Sequence, residues 1–423
     1  MHHRLLKLLI VLTLYNLFIS SYYWVIRFVS IWNPKAKEWI TGRKDWKNHL
    51  TQLVNNGPWI WVHCASAGEF EQGKPVIEKL KQTYSHHKIL VSFFSPSGFN
   101  SGKKYKHADA ICYLPLDTRN NAAQFLDILN PQLVIFIKYD YWYHHLKVVK
   151  ERQLPLLLVS AIFRESQPFF QWYGGLHRQI LTFFSHLFVQ DNASKDQLQS
   201  IDISHVTVTG DTRFDRVAAI ATNFTEVNHI KDFINGSKSL VAGSTWPEDE
   251  EMIKQATSNL ELVKLIIAPH EINAAHIDNL LKLFPNAVKY SEAGKKDLTH
   301  YPVLIIDNVG MLSRLYQYAD ITYIGGGFNK SGIHNTLEAA VWGKPVLFGP
   351  NYQKFKEARD LIHRKAAFSV SNASELNNVL KDLLENKDRL KESGLSAQTY
   401  VQEQKGATET ILNYIQEKRL LTN

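Results

Sequence analysis

The chain has 423 residues, which at roughly 150 residues per domain suggests two to three domains. Hydrophobic residues make up 45%, aromatics 12% and charged residues 21%, a balance that excludes a disordered, collagenous or acidic-tail protein. The net charge of +8 points to an anionic partner. The two cysteines, Cys64 and Cys112, are too few for a disulfide scaffold or a cysteine-rich zinc site, and a reducing compartment is expected. With no RNP, zinc-finger or Walker pattern in the sequence, an anionic membrane face and phosphorylated small molecules are expected ahead of nucleic acid.

Leu5 to Trp32 is the most apolar stretch, interrupted by Lys7, Asn16 and Arg27. Its length suits a bilayer span, and Tyr22, Tyr23 and Trp24 suit an interfacial aromatic belt. The larger basic cluster, Lys35, Lys37, Arg43, Lys44 and Lys47, follows it, so a membrane-anchor helix over 1–34 is expected with the body on the cytoplasmic side. No small-residue cleavage site follows the apolar run, which argues against a signal peptide. An interfacial helix and a buried core helix are the rival readings.

From Trp59 onward, unbroken apolar runs alternate with stretches long enough for helices. WIWVHCAS, KILVSFFS, AICYLPL, QLVIFIKY, LPLLLVSA, HLFVQ and HVTVTG read as strands of one covered parallel sheet. SLVAGST, LVKLIIAP, PVLIID, DITYIGGG and KPVLFGP read as strands of a second. The predicted α/β architecture is two Rossmann-like, doubly wound domains facing an interdomain cleft. Their bounds are 35–210 and 239–423, with a connector over 211–238 and a helical tail from Ala373. Both cysteines fall on buried strands and are expected to be inert.

In such sheets ligands bind beyond the carboxyl ends of the strands. After the first strand comes His63-Cys64-Ala65-Ser66-Ala67-Gly68-Glu69. Its small residues, Ser66 and Gly68 among them, admit a ligand. Glu69 at a helix start is a candidate general base, although spacing alone favours the common dipole-favoured first-turn acid. Gly243-Ser244-Thr245 ends a later strand, and with Pro247 opening a helix it reads as an anion cradle or as a plain cap. Gly325-Gly326-Gly327 begins a loop through Lys330 to His334-Asn335 and Glu338, with a helix expected from about His334. A phosphate fits its amides, and Glu338 could accept from a ribose diol. The dinucleotide fingerprint is absent, because its third glycine position is Lys330. Gly349-Pro350-Asn351-Tyr352 is another strand-end loop on that side. The His270-Glu271 pair is too sparse for a metal site, and His270 is expected to meet a phosphate or a pyrimidine.

In this order and behind an apolar amino-terminal segment, these motifs resemble the 3-deoxy-D-manno-octulosonic acid (Kdo) transferase family of lipopolysaccharide biosynthesis. The resemblance rests on Ala65-Ser66-Ala67-Gly68-Glu69, Gly210-Asp211-Thr212-Arg213-Phe214-Asp215, Gly243-Ser244-Thr245, Gly325-Gly326 through His334-Asn335 and Glu338, and Gly349-Pro350 with Phe355-Lys356. It implies a GT-B fold and an inverting glycosyltransferase needing no cofactor or metal. The implied donor is CMP-Kdo and the implied acceptor the lipid A precursor (lipid IVA), at the cytoplasmic face of the inner membrane. It implies Glu69 as the base and an acceptor domain over 35–210. The donor would lie in the domain over 239–423, against Ser66, Gly68, Gly243, Ser244, Thr245, His270, Gly325, Gly326, Gly327, Lys330, His334, Asn335 and Glu338. Arg43, Lys44 and Lys47 would meet acceptor phosphates. The sequence departs from the commoner family pattern at Lys138, Ile162 and Pro269, where a glutamate and two arginines are usual. The rival readings are a GT-B enzyme using a UDP-sugar and a non-catalytic anchored binding protein on that fold.

Overall fold

The computed structural model describes residues 2–260 and 263–422, with side chains from Ile10 onward. Each unbroken apolar run expected in the first half forms a strand: β1 (Trp59–Cys64), β2 (Lys88–Phe93), β3 (Ala110–Tyr113), β4 (Pro131–Ile137), β5 (Leu156–Ala161), β6 (His186–Val189) and β7 (Val206–Val208). They make one parallel sheet in the order β3-β2-β1-β4-β5-β6-β7. The runs are unbroken because both faces are covered. Trp59 and Trp61 of β1 join one core with Phe125, Phe136 and Leu158, while Ile60, Val62 and Cys64 join another with Ile77, Ile135 and Val159.

The second sheet comprises β8 (Lys238–Thr245), β9 (Val263–Pro269), β10 (Ala287–Lys289), β11 (Val303–Ile305), β12 (Ile321–Ile324), β13 (Val346–Phe348) and β14 (Ala367–Ser369). It is also parallel, in the order β10-β11-β9-β8-β12-β13-β14. Leu262, the first residue of one expected strand, lies outside the described residues. In each sheet the direction of winding reverses once, between β1 and β4 and between β8 and β12. The crevice beyond the carboxyl ends at such a reversal is where open α/β sheets hold ligands.

The chain divides into two units, 1–216 with 406–423, and 217–405. The tail is therefore shared, against the expectation that all of 239–423 forms the second domain. Ile411, Leu412 and Ile415 of the last helix (Ala407–Glu417) join the core of the first sheet. Asp215 accepts the Gly406 and Thr408 amides and the Thr408 hydroxyl at that helix's start, at 2.7–2.8 Å. Its apolar stripe marks a packed helix but carries no sign of which core it covers. The expected connector is itself structured, with helices Thr212–Thr222 and Ile230–Ile234.

The amino-terminal segment corrects the membrane-anchor expectation. It is a helix, His2–Val29, but no described helix is long and apolar enough to cross a membrane. One face is docked on the first unit. The Tyr15 hydroxyl donates to Asp117 at 2.5 Å, Asn16 Oδ1 is 2.6 Å from His144 Nε2, Ile19 is buried, and Tyr22 packs on Trp39 and Phe94. A spanning helix is apolar all round, whereas this one commits polar side chains to a protein surface. The opposite side exposes Leu14, Leu17, Phe18, Trp24, Val25 and Phe28, followed by Ile31 and Trp32. Asn33 caps the next helix (Pro34–Thr41), with Pro34 in its first turn.

Candidate functional site

In the first unit the residues after β1 and β4 meet at the sheet's reversal. Ser66 is the N-cap residue of helix Ala67–Thr83, and Glu69 stands at that helix's third position. The cap is unusual: the Ser66 hydroxyl makes no bond to the helix amides but donates to the Glu69 carboxylate. Glu69 is half-buried, and a Cβ on Gly68 would meet nothing nearer than Ser66 Oγ at 3.8 Å, so the helix start is open on that side. The next loop does crowd it. Ser95 N–H donates to Ala65 O, and a Cβ on Gly98 would come within 3.1 Å of the Ser66 backbone.

On β1, which leads into the Glu69 helix, begins a polar chain that sequence reasoning missed. Buried His63 has Nδ1 2.8 Å from Ser92 Oγ and Nε2 2.8 Å from Asp140 Oδ2. The Trp61 indole donates to Ser92 and the Trp142 indole to Asp140. His63 and Ser92 fall within apolar strands, so only the pairing of β1 with β2 and β4 brings the chain together. Lys138, one of the family departures, opens the β4 loop at φ 65°.

The Gly210–Asp215 motif proves to be a fastener. Thr212 Oγ1 donates to Gln72 O, one turn after Glu69, and Gln72 Nε2 donates to Asp211. Burial works to raise the Asp211 carboxyl, but the Arg213 guanidinium and the Arg213 and Gln72 N–H groups outweigh it and hold it below the usual range.

Arg43 is not among anion-binding groups. It is buried, and its guanidinium donates to the carbonyls of Leu114, Trp39 and Phe94 at 2.6–3.1 Å, with its charge 3.9 Å from the centre of the Trp39 ring. Lys44 and Lys47 remain exposed. Lys44 borders a cavity of about 710 Å³ lined by Tyr23, Trp24, Arg27 and Phe28.

In the second unit the β8 and β12 ends flank the other reversal, and they approach too closely for side chains. A Cβ on Gly325 would lie 2.2 Å from Ser244 O, and one on Gly243 would lie 2.0 Å from the Tyr316 hydroxyl. Gly326 takes φ 88° and lies against the His334 ring. The expected anion cradle at Thr245–Pro247 is filled from within. The Thr245 hydroxyl donates to Glu250, and buried Asp249 accepts from the Trp246 amide, the Gly326 amide and the Tyr323 hydroxyl at 2.7–2.9 Å. Burial pushes the Asp249 carboxyl up. This carboxylate, unmarked in a run of four acids, ties the glycine loop to helix Pro247–Thr257.

The helix expected from His334 instead begins at Leu337 and lasts one turn, to Ala340. His334 and Glu338 therefore do not share a helix face. The loop amides of Gly325, Gly326, Gly332 and His334 are taken by protein acceptors, so those four are not part of an amide row for a phosphate. Asn335 accepts from the Leu337 amide and donates to Glu338, fixing that carboxylate. Trp246, His270 and His334 form a three-ring stack, with centroids 4.8 and 4.4 Å apart. Burial pushes the His334 imidazole down to about 4. Lys330 is exposed, while its carbonyl accepts from Lys354.

Residues 41–216 match the family model described as 3-deoxy-D-manno-octulosonic-acid transferase (kdotransferase). The chain is 28% identical over 340 residues to the 3-deoxy-D-manno-octulosonic acid transferase of Aquifex aeolicus, covering 78% of this chain and 88% of that one. It is 26% identical over 375 residues to a bifunctional glycosyltransferase/methyltransferase of Fusobacterium nucleatum, covering 86% of this chain but spanning only 56% of that longer relative. In fold alone it is similar to the UDP-GlcNAc 2-epimerase of Neisseria meningitidis, with a TM-score of 0.59, 14% identity and coverage of 85% of this chain and 100% of the other. Two parallel seven-stranded α/β units are the elements of the GT-B architecture. The chain is thus similar to the Kdo transferases along most of its length, and its residues 41–216 match the model of that family.

Proposed function

We propose that the chain is an inverting glycosyltransferase that moves Kdo from CMP-Kdo to the lipid A precursor, with Glu69 as general base, at an anionic membrane face. The observation that carries this reading is Glu69 itself. It is an accessible carboxylate at the reversal of the first sheet, within the stretch matched by the family model, and it is held by a Ser66 hydroxyl that ignores the helix amides. A carboxylate there takes the proton of an acceptor hydroxyl as CMP leaves from the opposite face of the sugar. Charge on the ring is oxocarbenium-like in such transfers.

On the donor side, Glu338 fixed by Asn335 suits a ribose diol, and the exposed His270 and Lys330 suit phosphate. The exposed apolar side of the amino-terminal helix, with Arg27, Lys35, Lys37, Lys44 and Lys47 nearby in sequence, suits the interfacial mode of membrane attachment. The deciding assay is CMP release from fresh CMP-Kdo in detergent, with and without the lipid A precursor. Release is expected to depend on the acceptor and to fall at least ~100-fold in Glu69→Gln, the usual worth of a general base. Near-normal turnover by the variant would remove the base assignment, and acceptor-dependent release of UDP from UDP-hexoses, with none of CMP from CMP-Kdo, would replace the donor.

A further inference from the structure

We propose that Trp246 is a positioning residue that fixes His334 as a neutral imidazole with its proton on Nδ1, so that the ring meets a bound nucleotide as a hydrogen-bond donor. The inference rests on the nucleotide reading of this unit. Its basis is a single contact, in which Trp246 Nε1 lies 3.3 Å from His334 Nε2. An indole N–H can only donate, so Nε2 must offer its lone pair, and the proton of a neutral ring must then sit on Nδ1. Protonating Nε2 would turn two N–H groups against each other.

The surroundings hold the ring there. His270 stacks on its face at 4.4 Å, Trp246 stacks on His270 in turn, and the left-handed backbone of Gly326 passes close to its edge. The titratable group packed on the ring is His270. The nearby carboxylates are Asp249, bound to the Trp246 and Gly326 amides, and Glu338, bound to Asn335. Burial and His270 also disfavour the cation, which agrees with the contact. No described protein group accepts from His334 Nδ1, so that N–H is available to a ligand acceptor, a phosphate oxygen or a pyrimidine carbonyl.

The test is histidine-¹⁵N NMR on the full chain without ligand. His334 is expected to show a protonated Nδ1 and a bare Nε2. Trp246→Phe keeps the stacked ring and removes the N–H, and it should move the His334 proton toward Nε2. CMP should bind the variant about fivefold more weakly, the worth of one hydrogen bond. In a His334→Ala background the same change should have no further effect. An unchanged tautomer in Trp246→Phe overturns the inference, as do additive losses in the double variant, since a purely structural Trp246 would give both. Wild-type protein that fails to bind CMP would overturn the nucleotide reading, whereas the tautomer, read without ligand, tests Trp246 separately.

Discussion

Arg43 shows what residue-level reading can and cannot decide. In sequence it is one of three cations just past an apolar segment, alongside Lys44 and Lys47, and nothing in its neighbours distinguishes it. In the structure its guanidinium is enclosed by Trp39, Phe94 and Tyr113 and satisfied by three carbonyls from separate segments, with no carboxylate bound to it among the described residues. A flat fork with five donors can serve three carbonyls at once, which an ammonium cannot. Arg43→Ala leaves those carbonyls without their donor and a void among the rings. It is expected to destabilise the first unit by about 3 kcal/mol, with Arg43→Lys recovering little, as read from denaturant midpoints. Loss of anion binding with unchanged stability would contradict this. Glu69 was legible because a strand end, small residues and an acid coincide there. Asp249 was not, because Glu248, Asp249 and Glu250 all read as dipole-favoured first-turn acids.

At the scale of elements, legibility follows length and burial. From Trp59 onward every expected apolar run became a strand, since a sheet covered on both faces supports such runs. The strands that went unread are β10 and β14, three-residue edges with too few positions to show a pattern. The helix expected from His334 failed for a different reason. Gly325–Gly332 approach neighbouring backbone so closely that the chain must finish its turn before a helix can start, and that crowding is tertiary.

The last helix was legible as a helix but not in its destination. Asp215 reaches across 191 residues of sequence to the Gly406 amide, and the left-handed Gly406 offers no side-chain cap of its own. Asp215→Ala therefore removes the acceptor of the Gly406 and Thr408 amides at that helix's start. It is expected to cost about 1–2 kcal/mol, with faster amide exchange concentrated in 407–417. Uniform exchange changes across the first unit would mean that the carboxylate supports the Gly210–Asp215 motif rather than the helix.

For the whole molecule the net charge of +8 and the amino-terminal helix belong to one argument. The helix is tied to the first unit through Tyr15, Asn16 and Ile19, so its orientation is set by the fold. What it leaves outward is apolar: Phe18, Trp24 and Phe28 are each about 60% exposed, an arrangement uncommon on a surface meant for water alone. An apolar strip bordered by cations binds anionic headgroups by two additive means. Insertion of side chains is insensitive to salt, and attraction of Arg27, Lys35 and Lys37 is screened beyond a Debye length of about 8 Å at physiological ionic strength. The full chain is therefore expected to sediment with phosphatidylglycerol vesicles, and raising salt should weaken but not abolish that binding. Phe18→Glu with Phe28→Glu should weaken it at least about tenfold while leaving the denaturation midpoint nearly unchanged, because neither side chain is buried in the fold. Equal sedimentation of variant and wild type would show that the strip does not enter the bilayer, and binding abolished by salt alone would reduce the attachment to charge.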